Sequence, residues 1–249
     1  MPRLDGNMES HTIGRGGFAF TGARMDRLEA TNYTLVTLGT DATGSVVSFV
    51  SELETMERKA IEACRKSAHS DNILVRLLRF SSAFPKGVDE VFGFTPLADI
   101  DVNTIPPIRA GGMTPLCDAA YSAIGATNEY ARKLKDNDFG VNGIEFLLTD
   151  GGENASVATM KMVKEEQAAS IQSEALESNI SILVGINSQT CRAELEEFQR
   201  EAGINQYVDV GDATPQRLAK LAEFVSRSVS SQSQALGTGG PSQQISATI

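Results

Sequence analysis

Tyr33-Thr34-Leu35-Val36-Thr37-Leu38 reads as a strand, because every residue is β-branched, aromatic or apolar and none is charged. After Gly39 and Thr40 the chain enters a polar turn, Asp41-Ala42-Thr43-Gly44-Ser45. A helical pattern follows over about 46–68, where Val46, Phe49, Val50, Leu53, Met56, Ala60, Ile61 and Cys64 recur at spacings of one, three and four. A buried strand, a short turn and an amphipathic helix, in that order, set the expectation for the rest of the chain.

The remaining sequence repeats the alternation. A second buried strand covers 72–80, with Ile73-Leu74-Val75 and Leu77-Leu78, and a short strand over 88–94 follows the turn Pro85-Lys86-Gly87. A loop containing Pro96, Pro106 and Pro107 ends in Gly111-Gly112-Met113-Thr114-Pro115-Leu116. Pro115 suits the first turn of a helix running to about 134, since its missing N–H has no partner there. Ile144-Glu145-Phe146-Leu147-Leu148-Thr149 is a third buried strand, ending at Asp150-Gly151-Gly152. Helices are then expected over 156–177, 191–202 and 215–229, and strands over 180–186 and 206–210.

Strands alternating with helices predict an α/β fold, doubly wound, with helices on both faces of a mostly parallel six-stranded sheet and one antiparallel edge strand. Near-continuous apolar strands fit, because a parallel sheet is buried on both sides. The domain is expected over 32–229. Residues 1–31 read as a polar, irregular extension carrying Gly14, Gly16, Gly17 and Gly22, with Phe18 and Phe20 covering a sheet edge. Residues 230–249 read as an uncharged tail rich in Ser, Gln, Gly and Ala, either flexible or ordered against a partner or neighbouring copy.

The 249 residues contain 22 Lys plus Arg against 32 Asp plus Glu, a net charge of −10. Such a balance argues against nucleic acid and anionic membrane as partners, which need a basic surface. No apolar run approaches the roughly 20 residues that span a bilayer. The N-terminus lacks the apolar core of a secretory signal. Three widely spaced cysteines, Cys64, Cys117 and Cys191, favour a reducing compartment over a disulfide framework or a zinc site. These features together set an expectation of a cytoplasmic protein.

Ligands of doubly wound sheets bind beyond the carboxyl ends of the strands. Three oxygen-rich segments fall there: Asp41, Thr43 and Ser45 after the first strand, Thr114 in the loop entering a helix, and Asp150 after the third buried strand. Two carboxylates and three hydroxyls, with no sulfur or imidazole, suit a hard divalent cation such as Mg2+, with Mn2+ and Ca2+ as alternatives. Taken singly, Asp41 and Asp150 are also explained as turn or cap residues. Asp118 is expected near a helix start, where it favours the dipole or supports the site.

Asp41-x-Thr43-x-Ser45, then Thr114 within Gly-Gly-Met-Thr-Pro-Leu, then Asp150 within Leu-Leu-Thr-Asp-Gly-Gly, resembles the metal-ion-dependent adhesion site of von Willebrand factor type A domains. The resemblance spans about 33–229. It implies that Thr43 and Ser45 coordinate the cation directly, that Thr114 joins when ligand is bound, and that Asp41 and Asp150 act mainly through bound waters. It further implies a non-enzymatic protein-interaction module in which an acidic residue of a protein partner completes the coordination. In many such domains the last helix shifts on ligand binding, so the metal site is expected to be coupled to the tail. The chain resembles stand-alone bacterial or phage proteins of this type, including those linked to tellurite resistance and those accompanying AAA+ ATPases or kinase–phosphatase pairs. A structural subunit of a particle or filament, homo-oligomeric and assembled through the tail, is the alternative.

Two other readings fail on chemistry. A haloacid-dehalogenase-type phosphatase needs a second carboxylate two residues after the first, and Thr43 there cannot supply its proton near neutral pH. Ile13-Gly14-Arg15-Gly16-Gly17 looks like a kinase glycine-rich loop, but no Val-Ala-Ile-Lys, His-Arg-Asp or Asp-Phe-Gly accompanies it.

Overall fold

A computed structural model describes residues 6–14 and 17–236. The strands are β1 (Met8–Ile13), β2 (Phe18–Ala23), β3 (Asn32–Asp41), β4 (Ile73–Phe80), β5 (Val88–Pro96), β6 (Gly140–Thr149), β7 (Ser178–Ile186) and β8 (Gln206–Gly211). The helices are α1 (Val50–Cys64), α2 (Leu116–Lys135), α3 (Met160–Gln172), α4 (Arg192–Ala202) and α5 (Pro215–Ala235). They form one sheet in the order β1-β2-β5-β4-β3-β6-β7-β8. From β4 to β8 the pairing is parallel, while β5 runs antiparallel to β4.

The α/β class and doubly wound order are as expected, but the sheet has eight strands rather than six. Residues 8–13 and 18–23, read as part of an irregular extension, form the antiparallel pair β1–β2 and join the sheet beside β5, so β5 is internal and not an edge. Phe18 and Phe20 do not cover an edge from outside; they lie within β2 and are buried.

Buried polar chemistry anchors this pair. Arg76 on β4 is fully buried and pairs with Glu90 on β5 at 2.7 Å. Its other guanidinium nitrogens donate to the carbonyl and hydroxyl of Ser122 on α2. The second oxygen of Glu90 accepts from the amide and hydroxyl of Thr21 on β2 at 2.9 and 2.8 Å. Each charge is thereby paired and bonded, the condition under which a buried ion pair is tolerated. Tyr130 on α2 stacks on Phe94 at 5.2 Å and donates its hydroxyl to Ala23.

The two faces of the sheet carry separate cores. One, under α1 and α5, includes Val36, Leu38, Leu53, Ile144, Phe146 and Phe224. The other, under α2, α3 and α4, includes Leu35, Leu74, Ile124, Leu147, Leu183 and Phe198. Helix α5 continues past residue 229 to Ala235, so 230–235 are helical rather than part of the tail. Its last turns are held by a Ser233–Thr34 hydroxyl contact at 2.9 Å and by Asn142 donating to the Gln232 carbonyl at 2.9 Å. The rest of the expected tail, 237–249, lies outside the described residues. Among the described residues no helix is long and apolar enough to cross a membrane.

A row of buried polar residues crosses the second face in register: Arg76, Thr37, Glu145 and Ser181. Glu145 is the acidic member of this row and is fully buried. Burial pushes its carboxyl up to about 7, against the opposing influence of Thr127 and Asn179. The folded protein therefore keeps this proton above the pH at which the unfolded chain loses it. Stability is undiminished below the unfolded pKa and falls as pH rises toward 7, by about 1.4 kcal/mol per pH unit over that window. Glu145→Gln should accordingly equal the wild type in stability near pH 4.5 and exceed it by about 3 kcal/mol at pH 8. Urea unfolding at the two pH values checks this; an unchanged difference between the proteins would contradict it.

Candidate metal centre

The site begins with strand register. Adjacent parallel strands β3 and β6 pair Thr40 with Leu148, so both end at the same rim and deliver Asp41 and Asp150 side by side. Thr149, the last residue of β6, donates its hydroxyl to one oxygen of Asp41 at 2.6 Å. The other oxygen of Asp41 accepts the Thr43 amide at 2.8 Å. Asp41 is thus buried with both carboxylate oxygens hydrogen-bonded.

The turn then folds its hydroxyls together. Thr43 Oγ1 lies 2.9 Å from Ser45 Oγ, and Ser45 Oγ donates to Asp150 Oδ1 at 2.6 Å. Residues 44–49 form a short 3-10 segment, so the regular helix α1 starts at Val50 and not at 46. Gly44 is occupied instead in a bond to the loop that carries Thr114, its amide donating to the Gly112 carbonyl at 3.1 Å, while Gly111 donates to the Ala42 carbonyl at 2.9 Å.

Thr114 is brought in from the other side. Its amide donates to Asn154 Oδ1 at 2.7 Å, and its carbonyl accepts the Asn154 amide at 3.1 Å. Its hydroxyl faces Gly151, where a Cβ would lie 3.2 Å from Thr114 Oγ1. Gly112 has φ of 77°, a left-handed conformation in which a side chain would be strained, and a Cβ there would press on Ser81 and Ser82. Those two serines follow β4 and tie down the loop: Ser82 exchanges two bonds with Met113, and Ser81 donates to the Gly111 carbonyl. All five residues expected from the sequence, Asp41, Thr43, Ser45, Thr114 and Asp150, therefore sit on one patch at the carboxyl end of the sheet.

Several supporting residues carry no sequence motif. Thr149 and Asn154 orient Asp41 and Thr114 as described. Glu153 accepts from the Cys117 amide at the start of α2 at 2.6 Å, and from the Ala155 and Ser156 amides. The Ser156 hydroxyl, donating at 2.6 Å, together with these amides holds its carboxyl below the ordinary range although burial opposes them. Asp118 does not serve its own helix alone: its carboxylate accepts the Val157 and Ala158 amides, fixing the loop that follows Asp150. Cys191 donates its thiol to the Asp150 carbonyl at 3.2 Å.

The electrostatics are those of two carboxylates drawn together. Burial pushes Asp41 up to about 6, against hydrogen bonds from Thr149 and Thr43, and the charge of Asp150 adds repulsion. Burial also raises Asp150, against the Ser45 hydroxyl. Among the described residues no group of three or more His, Cys, Asp or Glu side chains is placed to hold a metal ion. An ion at this rim would depend on the hydroxyls as much as on the carboxylates, which fits a small hard cation that retains water.

No protein-family model matches the chain, and no curated protein matches it. Solved structures do. The pilus adhesin SpaC from Lactobacillus rhamnosus GG, in its open conformation, aligns with a TM-score of 0.61 at 11% identity, covering 90% of this chain and 32% of that one. The PilB minor pilin from Streptococcus sanguinis gives 0.59 at 15% identity, covering 92% of this chain and 68% of that one. Proximal thread matrix protein 1 from the mussel byssus, with a zinc-occupied MIDAS motif, gives 0.51 at 18% identity, covering 82% and 47%. The chain spans less than half the length of the adhesin and of the matrix protein. At these identities the likeness concerns the fold: a mixed α/β architecture compatible with the von Willebrand factor A-like domains among these neighbours.

Replacing Glu153 by Ala removes the acceptor of three loop and helix amides at once. The expected cost is about 1–3 kcal/mol, from the lost cap and the partly buried donors left unpaired. Urea unfolding at neutral pH measures it; a loss below about 0.5 kcal/mol would show that water replaces the carboxylate without penalty.

Proposed function

We propose that the chain is a non-enzymatic, divalent-cation-dependent protein-interaction module. Mg2+ is the proposed ion, with Mn2+ and Ca2+ able to substitute, held by Thr43, Ser45 and Thr114 through hydroxyls and by Asp41 and Asp150 largely through water. The observation that carries this reading is the run of contacts Thr43–Ser45–Asp150 at 2.9 and 2.6 Å, between side chains 105 residues apart at its far step. When bound, the ion supplies Lewis acidity. With few anionic ligands contacting it directly, it retains affinity for a carboxylate of a partner protein. A neighbour of the same fold is described with zinc at such a motif, which supports a divalent ion here.

The first form of the reading is a cytoplasmic adaptor that clips to an acidic residue of a larger assembly, such as a component of an AAA+ ATPase or kinase–phosphatase system. A second reading is a structural subunit of a particle or filament, homo-oligomeric and assembled through the tail. The neighbours favour the second, since their names are those of a pilus adhesin, a pilin and a thread matrix protein.

Capture of host proteins on the immobilised chain, in Mg2+ and again in EDTA, tests the reading. A partner released by EDTA and lost with Asp41→Ala and with Thr114→Ala, while both variants keep the wild-type circular dichroism, is expected. Retention in EDTA, or by both variants, would overturn it.

A further inference from the structure

Among the described residues, the large apolar side chains that stand exposed are Val47, Met113 and Val157, at 63%, 57% and 84% of full accessibility. Isolated exposed apolar residues are ordinary on a protein surface and need no explanation. These three are not scattered. Val47 is two residues after Ser45, Met113 immediately precedes Thr114, and Val157 lies in the loop after Asp150. Each belongs to a different one of the three segments that build the candidate metal centre.

Their exposure is not a consequence of loose backbone. Met113 is bonded through both its amide and its carbonyl to Ser82, at 2.8 and 2.9 Å. The Val157 amide is held between the two oxygens of Asp118, at 3.2 and 3.1 Å. Val47 sits in the 3-10 segment Gly44–Phe49, whose Val46 and Phe49 are buried. In each case the main chain is fixed and the apolar side chain is turned outward. The three segments are bonded to one another through Gly44 and Gly112, and through Thr114 and Asn154, so all three side chains are carried by the joined loops that hold the candidate site.

Charge narrows the occupant. Residues 41–47, 111–114 and 150–157 carry Asp41, Asp150 and Glu153 and no Lys, Arg or His, and the whole chain has a net charge of −10. With the ion balancing Asp41 and Asp150, these segments offer a second partner carboxylate no cationic side chain to pair with. A single carboxylate with apolar neighbours would satisfy the ion and cover the three exposed side chains together, giving an apolar contact around a polar centre.

We propose that Val47, Met113 and Val157 form an apolar collar that selects a protein segment with one Asp or Glu flanked by apolar side chains. This rests on the metal-dependent reading of the preceding subsection and adds the chemistry of the partner to it. The ion would provide attachment, and the collar would provide discrimination among carboxylates.

Selection of a displayed library of random twelve-residue peptides on the full chain in MgCl2, with elution by EDTA, tests the collar. The expected pool is enriched in peptides with one acidic residue next to Leu, Ile, Val, Phe or Met. The triple variant V47S/M113S/V157S should bind those peptides at least about tenfold more weakly, a change of about 1.4 kcal/mol. It should still immobilise Mn2+ as the wild type does, measured by electron paramagnetic resonance, because none of the three is a proposed ligand. An EDTA-eluted pool whose acidic residues lack apolar neighbours, a pool with no enrichment, or undiminished binding by the triple variant would overturn the collar while leaving the metal reading in place. Failure of the wild type itself to immobilise Mn2+ would overturn the metal reading instead.

Discussion

The candidate site depends on the pairing of β3 with β6. Nine residue pairs run in parallel register from Asn32↔Gly140 to Thr40↔Leu148, and both strands end together at the rim. That coincidence places Thr149 against Asp41 and Asp150 against Ser45, although more than a hundred residues separate them. A one-residue slip would turn the alternate side chains of β6 to the opposite face and dissolve both contacts. The apolar alternation of β6 guards against that slip, because Ile144, Phe146 and Leu148 face one core while Leu147 faces the other.

Around this pairing the loops are joined mainly by main-chain and carboxylate hydrogen bonds. Gly44 bonds to Gly112, Thr114 to Asn154, and Glu153 to the start of α2. The geometry of the oxygen donors is therefore set by the fold and not by the flexibility of single side chains. Burial raises the carboxyls of both Asp41 and Asp150, which is the electrostatic condition a divalent cation relieves. Hydroxyls supply much of the donor set, so the arrangement is matched to hard cations over the soft ones that seek sulfur or imidazole.

Much of this was legible in the sequence, and what was not has physical causes. Strands β3, β4, β6 and β7 are long apolar runs that a parallel sheet requires, and their polar ends marked the site. The pair β1–β2 was missed because Met8–Ile13 carries Glu9, Ser10 and His11, and its sheet membership depends on a buried ion pair between β4 and β5 and on Thr21. Residues 230–235 lack charge and read as tail. Their helix is held by Ser233 and Gln232 against Thr34 and Asn142, polar partners that leave no apolar periodicity. Thr149, Glu153 and Asn154 act through contacts between distant loops, for which no local pattern exists; only their proximity to Asp150 in the chain pointed toward them. Glu145 and Arg76 stand within strands with no motif around them, and burial alone sets them apart.

The proposed occupancy of the rim where β3 and β6 end by one hard cation is open to direct measurement. Crystals of the full chain grown with MnCl2 and measured at the manganese absorption edge test it directly. The account predicts one strong anomalous peak at direct bonding distance, about 2.0–2.2 Å, from the Thr43 and Ser45 hydroxyl oxygens, with Asp150 and Asp41 close by. Millimolar manganese that leaves this position without a peak, with Ser45 still donating to Asp150, would contradict it.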